Sequence, residues 1–524
     1  MAGTFSKTTL PKRPGAYVNY VGQKAEPALD ANILGVVAIP FAHTWGPENT
    51  PVTLGSWSEF LTKFTQGGTD TTSVNADRKA PAYTDGYIAV KQAFEGENYN
   101  ERFGAAQVIA YRLVPSGAAK ATLTLTATSG SALVLTAKYK GTYGNRLKVA
   151  VVTNAADSSQ RDIVIYDNVT SAEVERYTTT GGNVVADFTV IRDAINKSSN
   201  WLTAALPGTV GTGGFVSVAV SSAAALTGGT DGTVAQADYT AAMTALEPMR
   251  FSLFAPANLT DQTTMNALVT WAAGLNAKGK RFISVFGGAG SYTASSSTYN
   301  SVDTLATSNT RAAAINTNGN NDPNFINLGI GVYLDSELGI LNTAQLAPRI
   351  AGILADRAEY QSMTFARLSG LTIENGAPTE SQILSAIANG TVVVARDSNR
   401  TAPLRIEKSV TTYISTTNTD RPFAIYSVPK FLRTMHGVEM EITEWAEGNV
   451  IGRFPVNEAT RNYVIAEMTK RLQAREQAGV IQSGWTVTVD SNPSPTATDE
   501  FVAVAYSLTF GRSLEQVLNT IVVG

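Results

Sequence analysis

Two histidines, His43 and His436, and no cysteine occur among the 524 residues, and that scarcity bounds the chemistry open to the chain. A Ser-His-Asp arrangement needs an imidazole between nucleophile and carboxylate. His43 sits in the turn-like segment HTWGPEN, and His436 in a helical region beside Met435 and Gly437. Neither has a nucleophile motif nearby, and no G-x-S-x-G elbow is present; both are read as structural. Without cysteine there are no disulfides, thiolate zinc sites or thiol nucleophiles, which suits folding in a reducing cytoplasm. GLNAKGKR (Gly274 to Arg281) matches a P-loop as far as Gly-x4-Gly-Lys, but Arg281 stands where Mg²⁺ needs Ser or Thr. It also joins a helix to a following strand, the reverse of a phosphate cradle, so a helix C-cap at Gly279 is the better reading. FGGAGS (Phe286 to Ser291) follows a strand and could form an anion nest, yet it lacks the G-x-G-x-x-G spacing and reads as a flexible loop. NTNGNNDPN (Asn316 to Asn324) has one carboxylate, Asp322, where calcium usually needs several; an Asn-Gly turn is expected. Glu439, Glu441 and Glu444 read as a solvated acidic face of a helix. No catalytic residue, cofactor site or metal site is therefore expected, and the chain is read as non-enzymatic.

The elements that would position such residues fall into blocks. RPGAYVNYV (Arg13 to Val21) is a Pro-Gly turn followed by a short alternating strand with no local partner. GQKAEP separates it from a strand at Asn32 to Ile39. From Pro115 to about Ala235 short alternating runs follow one another, ATLTLTA, SALVLTAKY, RLKVAVVT, RDIVIYD, EVERYTT and FVSVAV, with one helix at Phe188 to Lys197. That block reads as an inserted β-rich domain. After Asp231, helices at Ala237 to Leu246, Thr263 to Ala277, Thr343 to Tyr360 and Glu380 to Ala388 alternate with strands RFSLFAP, RFISVFG, FINLGIGVYLD and TVVVARD. Continuous apolar strands between helices predict a mostly parallel sheet covered on both faces. From Pro403 a long strand LRIEKSVTTYI is expected, then helices at Pro429 to Glu444 and Glu458 to Ala478, then strands GWTVTVD and FVAVAYSLTF. Val464, Met468 and Leu472 form the apolar stripe of the second helix. Beyond Gly511-Arg512-Ser513 the apolar, alternating LEQVLNTIVVG has the character of another lone strand.

Composition sets the limits. Hydrophobic residues make up 44% and charged residues 16%, the balance of a folded chain; the length predicts about three domains. A net charge of −3 without a basic run argues against nucleic acid as a partner. The longest apolar run, Ile33 to Ala42, is far short of the ~20 residues that span a bilayer, and MAGTFSKTTLPKRPG lacks the apolar stretch of a signal peptide; no membrane insertion is expected.

Four segments together resemble the tail sheath proteins of contractile-tailed bacteriophages: RPGAYVNYV (13–21), LTAKYKGTYGNRLKVAV (135–151), LTGGTDG (226–232) and RFPVNEATRNYVIAEMTKRLQAREQAGVI (453–481). Lys140 departs from the family's usual proline, while Gly141, Gly144, Asn145 and Leu147 stand. The resemblance implies an α/β multidomain chain: an arm at 1–25, a discontinuous central α/β domain at 26–115 and 236–400, of subtilisin-like topology without a triad, and a β-rich outer domain at 116–235. A tube-proximal α+β domain at 401–510 and a second arm at 511–524 complete it. It implies arms that add strands to neighbouring subunits, carried by Arg13, Pro14, Gly15, Tyr17, Val18 and Tyr20 at one end and Leu514, Val517, Leu518, Ile521 and Val522 at the other. Hinges are expected at Gly22 and Gln23 and at Gly511, Arg512 and Ser513, and Glu441, Glu444 and Glu447 are a candidate tube-facing surface. The implied partners are further copies of the chain, a tail tube protein, and baseplate and tail terminator proteins, in a virion tail assembled in the host cytoplasm. A bacteriocin or secretion-device sheath reads the same way; a β-rich adhesin or surface-layer subunit and an envelope hydrolase of subtilisin-like fold are the rival classes.

Overall fold

The computed structural model describes residues 34–65, 83–99, 102–127, 130–167, 172–178, 186–210, 221–293, 298–396, 403–489 and 501–512. Arg13, Pro14, Gly15, Tyr17, Val18, Tyr20, Gly22, Gln23, Ser513, Leu514, Val517, Leu518, Ile521 and Val522, and the run FVSVAV, lie outside them. The architecture is mixed α/β with several sheets.

Alternation along single strands builds the central layer. Val37, Ile39 and Phe41 enter one apolar cluster while Val36 and Ala38 enter another on the opposite face. Val108 and Ala110 divide from Ile109, Tyr111 and Leu113 in the same way. A strand that buries both faces has no polar alternation to show, which is why these runs read as continuously apolar. The nine described strands run, from one edge to the other, Arg367–Leu368, Leu404–Ile406, Thr391–Ala395, Phe325–Gly329, Ile283–Phe286, Leu253–Phe254, Val36–Ala42, Gln107–Leu113 and Pro51–Leu54. The six from Thr391–Ala395 to Gln107–Leu113 are mutually parallel, and the edges are antiparallel. Helices Asp85–Glu95 and Thr343–Asp356 supply buried residues to the first cluster, Gln236–Leu246 and Gln262–Ala277 to the second.

Residues 119–230 form two small sheets with their own core. One holds Thr122–Ala127, Gly130–Ala137 and Leu202–Ala205; the other holds Ser221–Ala225, Leu147–Thr153, Arg161–Asp167 and Glu173–Thr178. Helix Ala186–Ser198 contributes Phe188, Ile191 and Ile195 to that core. Trp45, from the central part of the chain, is buried in it, tilted against Tyr143 at 5.2 Å and Trp201 at 5.9 Å between ring centroids. Arg112, also buried, donates to the carbonyls of His43 and Gly46 at 2.8 Å each and of Lys140 at 2.5 Å, tying the two parts together.

Three expectations need correction. FINLGIGVYLD is not one strand: Ile330 (φ +68°) and Gly331 (φ +97°) break it. Their amides are held by Ser308 Oγ at 3.1 Å and the Asp303 carbonyl at 2.8 Å, and Val332–Asp335 joins a separate sheet with Gly339–Leu341 and Leu371–Asn375. LRIEKSVTTYI is a strand only over Leu404–Ile406. Beyond it the backbone bonds elsewhere, Thr411 N–H to the Ser427 carbonyl and Thr412 N–H to that of Phe325, so the run is buried without being a strand. RFSLFAP keeps ladder pairing only at Leu253–Phe254. Helices Trp57–Phe64, Asp85–Glu95 and Leu305–Asn318 and strand Gln107–Leu113 were not anticipated.

Candidate functional site

In a parallel α/β sheet, chemistry gathers at the carboxyl ends of the strands. His43 lies one residue beyond Val36–Ala42, with Nδ1 2.5 Å from Thr84 Oγ1 and Nε2 3.0 Å from the Phe64 carbonyl. Thr84 is itself the N-cap of Asp85–Glu95. The half-buried Asp85 carboxylate accepts from Asn258 Nδ2 at 3.0 Å and Gln345 Nε2 at 3.4 Å, and desolvation pushes its pKa up against those bonds. These groups are spent on fixing helix starts and loops to one another. His436 is buried inside the long helix Pro429–Asn449. Burial, with Arg281 and Arg433 nearby, pushes its pKa down to about 3, so the ring stays neutral.

The other motifs resolve as local structure. After helix Gln262–Ala277, Gly279 (φ +92°) donates to the Asn276 carbonyl and Lys280 to that of Leu275, both at 3.1 Å. This is a Schellman C-cap, which points carbonyls, not amides, at the turn. In FGGAGS the Gly288 amide donates to Thr343 Oγ1 at 2.7 Å, and a side chain on Gly288 would strike the Arg311–Asp303 ion pair; the loop is packed, where flexibility was expected. Asp322 binds Asn276 Nδ2 at 3.0 Å and Asn324 Nδ2 at 2.8 Å inside an Asn-rich turn, with Asn320 and Asn321 at positive φ. Among the described residues no group of three or more acidic or histidine side chains is placed to hold a metal, and no helix is long and apolar enough to cross a membrane.

The C-terminal part carries the features least explained by the needs of a core. The long helix packs with Glu458–Gln477 and the hairpin Gln482–Val489/Val504–Thr509 around a small cluster of Val438, Leu472 and Ile481, with Trp485, Val487 and Leu508 partly buried. Met468 is buried too, while Val464 is only half-buried. Gly484 (φ +99°) lies where the hairpin register shifts, between the Gln482–Thr509 and Thr486–Ser507 pairs. The hairpin is a two-stranded sheet, so both outer edges are without a strand partner among the described residues. Val489 and Tyr506 are exposed on it.

The acidic residues of the long helix are not a simple solvated face. Arg281 Nε donates to Glu439 at 3.0 Å, Arg475 Nε donates to Glu441 at 2.6 Å, and Arg250 pairs with Glu444. Glu447 is exposed on the rim of a groove of about 190 Å³ that also touches Phe251, Lys280 and Met440. Glu359, beyond helix Thr343–Asp356, binds the same Arg475. Its carbonyl accepts from Thr434 at 3.2 Å, and a side chain at Gly437 would stand 2.6 Å from its carboxylate. Burial raises the Glu359 pKa while Arg475 and Arg433 oppose the rise. Arg433 is buried and pushed down to about 10, held up by Glu359 and Asp356. This charged joint between helix Thr343–Asp356 and the two C-terminal helices was missed in the sequence, because its partners are far apart along the chain. Of the two hinges, only Gly511 and Arg512 are described, and they leave the hairpin directly after Phe510.

Comparison with known proteins follows the same division. Residues 116–231 match the phage tail sheath protein beta-sandwich domain and residues 232–412 the phage tail sheath protein central domain, together more than half of the chain. A sheath tail protein from Desulfitobacterium hafniense is similar in fold, with a TM-score of 0.66 at 18% identity over 95% of this chain and 100% of that one. One from Listeria innocua gives 0.60 at 20% over 91% and 95%. The sheath of an extracellular contractile injection system in its contracted state gives 0.51 at 11% over 98% of each. The uncharacterized protein YqbK of Bacillus subtilis (strain 168) is 27% identical over 264 residues. The match spans about half of that curated relative's length.

Proposed function

The chain belongs to the phage tail sheath family, and we propose that it is a non-enzymatic structural subunit of a contractile sheath, polymerising helically around a tail tube through strands donated by its two ends. The observation that supports strand donation is the C-terminal hairpin, whose two edges have no strand partner among the described residues and lie beside exposed Val489 and Tyr506. An isolated two-stranded hairpin is marginal in water, and an open edge is a template for another chain. Strands from Arg13, Pro14, Gly15, Tyr17, Val18 and Tyr20 and from Leu514, Val517, Leu518, Ile521 and Val522 of neighbouring copies extend it. Each added backbone hydrogen bond contributes roughly 0.5–1.5 kcal/mol net. A head-to-tail contact of this kind does not close, and it generates a filament.

In this reading the central sheet has a subtilisin-like topology that has lost any triad, residues 116–235 face outward, and the 401–510 region lies nearest the tube with Glu447 toward it. Baseplate and terminator proteins bound the polymer at its ends, in a tail built in the host cytoplasm. No nucleotide is consumed, because the energy is stored at assembly in a metastable lattice. The fold is shared with the sheath of an extracellular injection device, and a phage-derived device is the second reading. Negative-stain microscopy of the purified chain tests the proposal: striated tubes are expected, and a protein that stays monomeric at high concentration contradicts it.

A further inference from the structure

An Asn-Gly pair is open to intramolecular chemistry, because glycine carries no side chain to shield its amide nitrogen from the preceding carboxamide. The chain holds three such pairs, at Asn318, Asn375 and Asn389, and all three asparagines are exposed. Exposure therefore does not separate them; conformation does. Asn318 closes helix Leu305–Asn318, where its Nδ2 donates to the Ala314 carbonyl at 2.7 Å and the Gly319 amide donates to that of Ile315 at 2.8 Å. Asn389 caps helix Glu380–Ala388 in the same way, with Nδ2 donating to the Ser385 carbonyl at 2.8 Å and the Gly390 amide to that of Ile387 at 3.1 Å. At both sites the two groups that would have to react are each tied to a helix carbonyl. Asn375 instead ends strand Leu371–Asn375, and the Gly376 amide donates to its Oδ1 at 2.7 Å. That contact folds the carboxamide back onto the nitrogen that follows it, and turning the amide end for end leaves Cγ beside that nitrogen. Groups held this close are already near their attack geometry.

We propose that Asn375 is a self-modification site, where the chain converts its own amide into a carboxylate with water as the co-reactant. The Gly376 nitrogen gives up its proton to solvent and attacks Asn375 Cγ. The N–Cγ bond forms, the Cγ–Nδ2 bond breaks, and ammonia leaves with a proton returned from water. Water then opens the cyclic imide, and nothing is oxidised or reduced. Cleavage at Cγ gives aspartate; cleavage at the main-chain carbonyl carbon gives isoaspartate, whose backbone is longer by one methylene. Either product adds a negative charge next to Glu374. Isoaspartate does more, because Asn375 is paired with Val332 at the edge of the three-stranded sheet. A Cβ at Gly376 would stand 2.6 Å from Val302 Cγ1 and 3.1 Å from Gly331 Cα, so a lengthened link has no room unless the break at Ile330–Gly331 gives way. The site is thus a clock that loosens this sheet with age, and it operates in the single subunit, whatever strands the copies exchange.

The test needs only the full chain. It is aged at physiological temperature in mildly alkaline buffer, digested, and mapped by mass spectrometry, with enzymatic methylation to count isoaspartate. Residue 375 is expected to turn acidic roughly tenfold faster than 318 and 389, the advantage of preformed geometry, and to yield both products. In urea, where all three pairs lose their conformations, the rates should converge. Asn375→Gln, whose carboxamide could close only a larger and slower ring, should stay amidated and melt after ageing as it did when fresh. The aged parent should melt at a lower temperature than the fresh one. Equal rates at the three sites of the folded chain, or a faster reaction at 318 or 389, overturn the inference. An aged parent that carries isoaspartate at 375 yet melts like the fresh protein overturns the clock.

Discussion

Glu359 links the two C-terminal helices: its carboxylate pairs with Arg475 on one, and its backbone carbonyl accepts from Thr434 on the other. Breaking a buried ion pair leaves its partner uncompensated, which costs about 3–5 kcal/mol for a fully buried pair and less where water reaches. Glu359→Ala is therefore expected to lower the urea unfolding free energy by about 2–3 kcal/mol, and Glu359→Gln by less; equal midpoints for all three proteins would remove the joint from the account. His436 gives a pH dependence of known sign. The unfolded chain protonates it near 6.5, the folded chain only near 3. Stability therefore falls as pH drops through that window, by up to about 1.4 kcal/mol per pH unit. The difference in slope between the parent and His436→Leu, measured from pH 6.5 to 5, isolates this contribution, and parallel curves would contradict it. The histidines were legible as structural because nothing near them in sequence could be activated. The acidic residues were not, since Arg281 is 158 positions from Glu439 and no spacing rule reaches so far.

At the scale of elements, the sequence showed what depends on local period. The helix Glu380–Ala388 and the five insert strands from Thr122–Ala127 to Glu173–Thr178 lie within a residue or two of their expected bounds. What failed depends on distant partners. The break at Ile330–Gly331 is held by Ser308 and Asp303, and the irregular course after Ile406 is held by Ser427 and Phe325. The C-terminal hairpin was found as two strands, but that no other described strand joins it was not legible, because sheet membership is a property of the whole fold. The proposed strand donation has a measurable result there. Amides of Thr486–Thr488 and Ala505–Ser507 should exchange hydrogen much faster in the unassembled chain than those of Ile326–Leu328 in the central sheet. They should become protected in the polymer. Equal protection before and after assembly would mean that nothing is added to the hairpin edges.

For the whole molecule, the two sheath-domain matches fix the family, and the nine-stranded layer, the Trp45-centred insert and the charged joint describe a subunit built from firmly connected parts. Such a body can be moved without being remodelled, provided that its connections to neighbours bend. We propose that the chain ends take that role; their strand-like patterning could be read from sequence, and their proposed partners are other copies. The most direct test removes one of them. The full chain and a chain lacking residues 514–524 are purified and compared by thermal melting and negative-stain electron microscopy. The account predicts the same melting temperature for both, striated tubes from the full chain, and only monomers from the shortened one. Long ordered tubes from the shortened chain would contradict it.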